Sequence, residues 1–76
     1  MMNCLVTGGT GCLGRALVAG LVALGHSVRV LANGGAAPRG VEFAEGSVED
    51  AEIVAAACRG VDVVFHLAAL VHVKDE

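Results

Sequence analysis

The chain has 76 residues, about half the length of a typical domain, so it holds no more than one domain. Hydrophobic residues make up 55% of it and charged residues 17%, a composition that excludes an intrinsically disordered tail. The net charge of −3 and the aromatic content of 3% disfavour nucleic acid and anionic membranes as partners. Three cysteines without C-x-x-C spacing, and histidines without ligand spacing, indicate no disulfide framework, no metal site and a cytoplasmic location.

Short apolar runs alternate with longer helical segments along the chain. We predict strands over residues 4–7, 27–32, 41–44 and 62–67, and helices over residues 13–24 and 50–59. Asp50 is a suitable N-cap for the second helix, and the fourth strand is apolar enough to be buried on both faces.

The first helix has an apolar face by periodicity. Leu13, Leu17, Leu21 and Leu24 recur at helical spacing, and Gly25 suits the position just beyond the last turn. This face is expected to pack on the sheet.

The element order β-α-β-β-α-β predicts an α/β fold, a partial Rossmann domain with a doubly wound parallel sheet, over residues 1–76. The edge beside the fourth strand then needs another strand or some other cover. Without that cover, we expect self-association through the sheet edge.

A glycine-rich turn joins the first strand to the first helix. Gly8, Gly11 and Gly14 have the spacing G-x-x-G-x-x-G. A phosphate needs backbone N–H donors at close range, and a helix N-terminus supplies them together with a partial positive charge. The alternative is that the glycines only form a tight turn. A triphosphatase phosphate loop is excluded, because Arg15 and Ala16 replace its lysine and hydroxyl residue.

These segments together resemble a known family. TGGTGCLG, GHSVRVL, EGSVED and DVVFHLAA are similar to the N-terminal part of the extended short-chain dehydrogenases/reductases, over essentially the whole chain. That superfamily includes NAD(P)-dependent sugar epimerases and dehydratases, 3β-hydroxysteroid dehydrogenases and dihydroflavonol reductases. The resemblance implies a dinucleotide as ligand. It implies pyrophosphate contacts from Gly8, Thr10, Gly11, Cys12, Leu13 and Gly14, and contacts near the nicotinamide-side ribose from Leu67, Ala68 and Ala69.

Two departures from the family pattern concern the adenosine half of the dinucleotide. Ala32 and Asn33 stand where NAD enzymes usually have a carboxylate for the ribose hydroxyls, and Arg39 follows in the next loop. We therefore favour NADP modestly over NAD, with Asn33 and Arg39 as contacts. Ser47 stands where the family often has an aspartate that contacts adenine, so Ser47 and Val48 are expected to form a weakened adenine site.

For three further side chains we expect structural rather than catalytic roles. Cys12 replaces a common phenylalanine and is expected to be a small, half-buried filler. His66 is expected to be a packed strand histidine rather than a catalytic one. Arg29 is expected to extend along a sheet edge.

The family's chemistry uses a Tyr-x-x-x-Lys pair, and this chain has no Tyr. We therefore expect an N-terminal fragment that is not catalytic by itself, from a parent oxidoreductase or epimerase. Two alternatives remain open, namely a dinucleotide-sensing module without catalysis and an inactive truncated product.

Overall fold

A computed structural model describes residues 1–8, 11–35 and 39–67. The elements are β1 (Asn3–Thr7), α1 (Cys12–Ala23), β2 (Ser27–Ala32), β3 (Glu42–Glu45), α2 (Ala51–Ala57) and β4 (Val63–His66). The predicted order is confirmed, and the predicted ends differ from the observed ones by at most two residues. In the described part of the chain, no helix has the length and apolar character needed to cross a bilayer.

The four strands form one parallel sheet in the order β3-β2-β1-β4. In register, Val6 of β1 lies between Val30 of β2 and Phe65 of β4. The chain therefore runs from β1 outwards to β3 and then crosses back to β4 on the other side of β1. This is the first half of a doubly wound Rossmann sheet, as predicted.

Among the described elements, each face of the sheet carries one helix, because side chains along a strand alternate between the two faces. On one face, Val18 and Leu21 of α1 pack against Cys4, Val6 and the alternate residues of β2. On the other face, Ala57 of α2 packs against Leu5 and Leu31.

The prediction of the buried face of α1 is wrong at its two ends. Leu13 is 62% exposed and Leu24 is 75% exposed. The buried stripe instead runs through Gly14, Val18 and Leu21. These positions are four and three residues apart, so they share one side of the helix and turn the neighbouring Leu13 towards solvent.

The prediction that β4 is buried on both faces is also wrong. Its residues alternate between half-buried and exposed, and Val64 is 48% exposed. The reason lies in the strand order, because β4 is at the edge of the sheet formed by the described residues and pairs there with β1 alone.

The helix ends follow the predicted signals. Gly25 has a φ of 88° and donates its N–H to the carbonyl of Val22. The Asp50 carboxylate accepts from the N–H groups of Glu52 and Ile53, so it caps α2 as predicted.

Arg29 is not at a sheet edge, which corrects the sequence interpretation. It lies on the interior strand β2, where Nε donates to Glu42 at 2.8 Å. Its Nη1 donates to the carbonyl oxygens of Ala57 at 2.7 Å and Arg59 at 3.1 Å. Arg29 therefore ties β2 to β3 and to the C-terminal end of α2.

Candidate functional site

An open cleft of about 280 Å³ lies against the carboxyl ends of β1, β2 and β3. It is lined by Gly8, Leu31, Ala32, Asn33, Gly34, Gly46, Ser47, Val48 and Glu49. In open α/β sheets, ligands bind outside the carboxyl ends of the strands, beside the point where the strand order reverses. Here that switch point lies between β1 and β4, next to the cleft.

The glycine turn begins at Gly8, directly after β1. Gly8 has a φ of 80°, a conformation that favours glycine. Its N–H donates to the carbonyl of Leu31 in β2 at 2.9 Å, and the preceding Thr7 carbonyl accepts from the N–H of Leu67 at 3.1 Å. The start of the turn is therefore held from β2 on one side and from the end of β4 on the other.

The turn ends at the N-terminus of α1. Gly11 is at the N-cap position and has no side chain with which to cap the helix. A Cβ atom built on Gly11 would have no described atom within 4 Å, so the space above it is open. The first turn of the helix has no acidic residue, and N–H groups in a first turn lack intrahelical partners. An anion such as a pyrophosphate fits these properties.

The side of the cleft away from the glycine turn is formed by the segments after β2 and β3. The N–H of Gly46 donates to the carbonyl of Ala32 at 3.1 Å, which brings the two segments together. The Ser47 hydroxyl oxygen accepts from the N–H of Glu49 at 3.0 Å, and the Ser47 carbonyl accepts from Asp50 at 3.1 Å. These bonds make a compact turn on which Val48 is 37% exposed.

The structure brings together several of the residues proposed from sequence. Gly8, Asn33, Ser47 and Val48 all line the cleft, while Gly11, Cys12, Leu13 and Gly14 begin α1 beside the glycine turn. Leu67 follows β4 and packs against the hydrophobic cluster beneath α1. Arg39 is exposed and is not among the residues that line the cleft. Thr10, Ala68 and Ala69 lie outside the described residues.

The interpretation of Cys12 as a half-buried filler is wrong, because its side chain is exposed and its thiol is free. The reason is its position on α1, two residues before the buried Gly14 and off the stripe that faces the sheet. Within the described ranges, no three His, Cys, Asp or Glu side chains form a group that could hold a metal ion.

Sequence reasoning missed two features of this edge of the sheet. The first is that Glu49 lines the cleft. Its position directly after Ser47 and Val48 in sequence could have indicated this. The second is a hydrogen bond of 2.7 Å between Thr7 Oγ1 and His66 Nδ1, at the carboxyl ends of β1 and β4. Its partners are 59 residues apart in sequence, and only the strand register brings them together.

A larger groove of about 600 Å³ lies elsewhere, between the amino end of β3 and the C-terminal part of α2. Its lining includes Arg29, Glu42, Phe43 and Arg59. None of the proposed binding residues lines it, and it is away from the carboxyl ends of the strands. The smaller cleft is therefore the better candidate site.

The strand order and the glycine turn after β1 together define the first half of a dinucleotide-binding Rossmann fold. The sequence pattern of the NAD dependent epimerase/dehydratase family matches residues 4–76, and the chain belongs to that family.

Similar proteins agree with this assignment. A 3 beta-hydroxysteroid dehydrogenase/Delta 5-->4-isomerase of Mycobacterium tuberculosis is 40% identical over 70 residues, which are 88% of this chain and 19% of that protein. A ketoreductase of Stigmatella aurantiaca, acting on a farnesyl-dihydroquinoline oxide, is 42% identical over 74 residues, which are 91% of this chain and 22% of that protein. The chain therefore spans about a fifth of these relatives.

A solved structure of a short-chain dehydrogenase/reductase superfamily protein from Agrobacterium tumefaciens, with bound NAD, has a TM-score of 0.74 and 40% identity. The match covers 86% of this chain and 20% of that one. The residues that correspond to this chain in that protein thus form part of a fold that holds NAD.

Proposed function

We propose that this chain binds NAD(P) and forms the dinucleotide-binding part of an epimerase, dehydratase or reductase of its family. The observation that carries the proposal is the glycine turn of β1 and α1, which stands beside a cleft at the carboxyl ends of three parallel strands. The NAD bound by a similar protein supports the same ligand class.

The proposed contacts divide along the dinucleotide. Gly8 and the backbone from Thr10 to Gly14 would hold the pyrophosphate, because this segment ends at an uncapped helix N-terminus. Asn33, Ser47 and Val48 would contact the adenosine half in the cleft. Leu67, Ala68 and Ala69 would pass the nicotinamide-side ribose.

A bound nicotinamide ring would supply hydride transfer, and the chain's own residues would bind and orient it. The 76 residues contain no Tyr, so they lack the proton-transferring pair implied by the resemblance. We expect the purified chain to bind the dinucleotide without turning over an alcohol or a sugar nucleotide.

We also infer a modest preference for NADP. Ala32, 6% exposed, and Asn33 offer no carboxylate at the end of β2, so neither of these two residues repels a 2′-phosphate. The exposed Arg39 belongs to the following loop and carries a charge that favours such a phosphate. Glu49 also lines the cleft, and its negative charge keeps the preference small.

Calorimetric titration of the chain with NADH and with NADPH tests both parts of the proposal. The variant Gly11→Val would put a side chain into open space that the pyrophosphate is proposed to occupy. Because a Cβ there meets no described atom, the variant should fold normally and bind at least about tenfold more weakly.

The matched control is Gly20→Val, a second glycine of α1 whose Cβ would also meet open space. It carries the same change in composition but lies far along the helix from the turn, so its affinity should equal that of the original chain. Equal binding of NADPH by Gly11→Val and the original chain would show that the pyrophosphate assignment is wrong. Tighter binding of NADH than NADPH would refute the NADP preference alone.

A further inference from the structure

We propose that the hydrogen bond between Thr7 and His66 fixes the separation between the carboxyl ends of β1 and β4, where the nicotinamide half of the dinucleotide is proposed to bind. Both are then positioning residues that act through the strand ends. The inference rests on the proposed function and deepens it.

The two side chains join the carboxyl ends of neighbouring strands. Thr7 is the last residue of β1 and His66 the last of β4, and they are partners in the strand register. Thr7 Oγ1 lies 2.7 Å from His66 Nδ1, and the Thr7 side chain is only 3% exposed. A buried hydroxyl group requires a hydrogen-bond partner, and His66 provides one. When the ring proton is on Nε2, the hydroxyl donates to Nδ1.

The bond acts at the end of a strand that has one strand neighbour among the described residues. In the described part of the sheet, β4 pairs with β1 alone, and its last backbone bond runs from the Leu67 N–H to the Thr7 carbonyl. The side-chain bond is a second tie at the same point. Without it, the end of β4 would be held by the backbone bond and by the packing of Leu67 against the hydrophobic cluster, and its distance from the end of β1 would be less closely fixed.

The opposite side of the glycine turn does not depend on this bond. Gly8 is tied to Leu31, and Gly46 to Ala32, by backbone hydrogen bonds among β1, β2 and β3. The cleft proposed for the adenosine half should therefore keep its shape when the Thr7–His66 bond is lost. This difference between the two halves of the ligand separates a positioning role from a general effect on stability.

The experiment measures the Kd of NADH and of AMP for the chain and three variants by calorimetry. Thr7→Val removes the hydroxyl and keeps the shape, and Thr7→Ser keeps the hydroxyl. His66→Leu removes the partner from an exposed position, so it serves even where Thr7→Val folds poorly. We expect Thr7→Val and His66→Leu each to weaken the binding of NADH about five- to tenfold. The Kd of AMP should change less than about twofold.

Two further results are expected. Thr7→Ser should bind NADH as the original chain does, and the double variant Thr7→Val with His66→Leu should be no weaker than either single variant. Equal weakening of NADH and AMP, failure of Thr7→Ser to restore binding, or simple additivity would each overturn the inference. A chain that binds neither NADH nor NADPH would refute the proposed function and this inference with it. Binding by the original chain that all variants match would refute this inference alone.

Discussion

The position that a Cβ atom would take on Gly46 lies 2.8 Å from Cδ1 and Cγ2 of Ile53. Gly46 directly follows β3, and Ile53 is in the first half of α2. The end of the strand and the helix therefore approach so closely that no side chain fits between them. Because Ser47 and Val48 follow at once, this approach also fixes one wall of the candidate cleft.

Gly46→Ala should consequently destabilise the fold. The added methyl group must displace the branched Ile53 side chain, and overpacking of this kind costs about 1–3 kcal/mol. Urea denaturation of the chain measures the loss. Gly20→Ala is the control, since its Cβ meets open space in α1 and should raise the free energy of unfolding by about 1 kcal/mol.

The double variant Gly46→Ala with Ile53→Ala tests the cause. Removing the Ile53 side chain removes the clash, so the double variant should lose less stability than the sum of the single variants. If the two losses simply add, the close approach is not the reason that glycine is required at position 46.

The fold could be predicted from local signals where these were unambiguous. The glycines and Asp50 marked the element ends, and alternating short and long apolar segments gave the strand and helix order. The buried stripe of α1 could not be predicted, because most positions from Leu13 to Leu24 are apolar and several stripes are equally hydrophobic. The exposure of β4 depended on which elements cover it, and a single strand does not carry that information.

The candidate site divides in the same way. The glycine turn was predicted from its position between a strand and a helix, and Ser47 and Val48 were predicted from the family resemblance. The parallel strand order explains why these segments share one edge of the sheet. The role of Arg29 and the Thr7–His66 bond depend on contacts between residues distant in sequence. Those contacts require the register of the strands and could not be derived from spacing.

Arg29 should stabilise the fold mainly through carbonyl groups rather than through its ion pair. Its Nη1 donates to the carbonyls of Ala57 and Arg59 at the end of α2, where the helix dipole favours a cation. Arg29→Met should cost about 1.5–3 kcal/mol, as expected for hydrogen bonds from a charged group. Glu42→Gln should lower the free energy of unfolding by less than about 1 kcal/mol, because the Glu42 side chain is 70% exposed.

Salt separates the two contributions of Arg29. The free energy of unfolding should be measured at low and at high sodium chloride. At high salt, the effect of Glu42→Gln should disappear, while most of the effect of Arg29→Met should remain. A larger loss from Glu42→Gln than from Arg29→Met would contradict this division and identify the ion pair as the main contribution.

Glu49 should reduce the affinity for NADPH. Its side chain belongs to the cleft lining, so its negative charge opposes a 2′-phosphate held there. Glu49→Gln should tighten NADPH binding about two- to fivefold, with a smaller effect at high salt and little effect on NADH. Glu45→Gln is the control, because Glu45 is exposed and does not line the cleft. Equal changes in NADH and NADPH affinity would place the 2′-phosphate away from Glu49.

We expect the chain to associate with itself through the edge of β4. Val64 is 48% exposed, and β4 is an edge strand of the sheet that the described residues form. Edge strands without a cover pair readily with other strands. Val64→Lys should lower the fraction of dimers and larger species in sedimentation velocity, since an edge lysine disfavours pairing. Leu24→Lys is the control. It introduces the same charge at another exposed aliphatic residue, which lies outside β4 at the end of α1. If Leu24→Lys lowers the fraction of dimers and larger species as strongly as Val64→Lys, association depends on general hydrophobicity and charge rather than on the β4 edge.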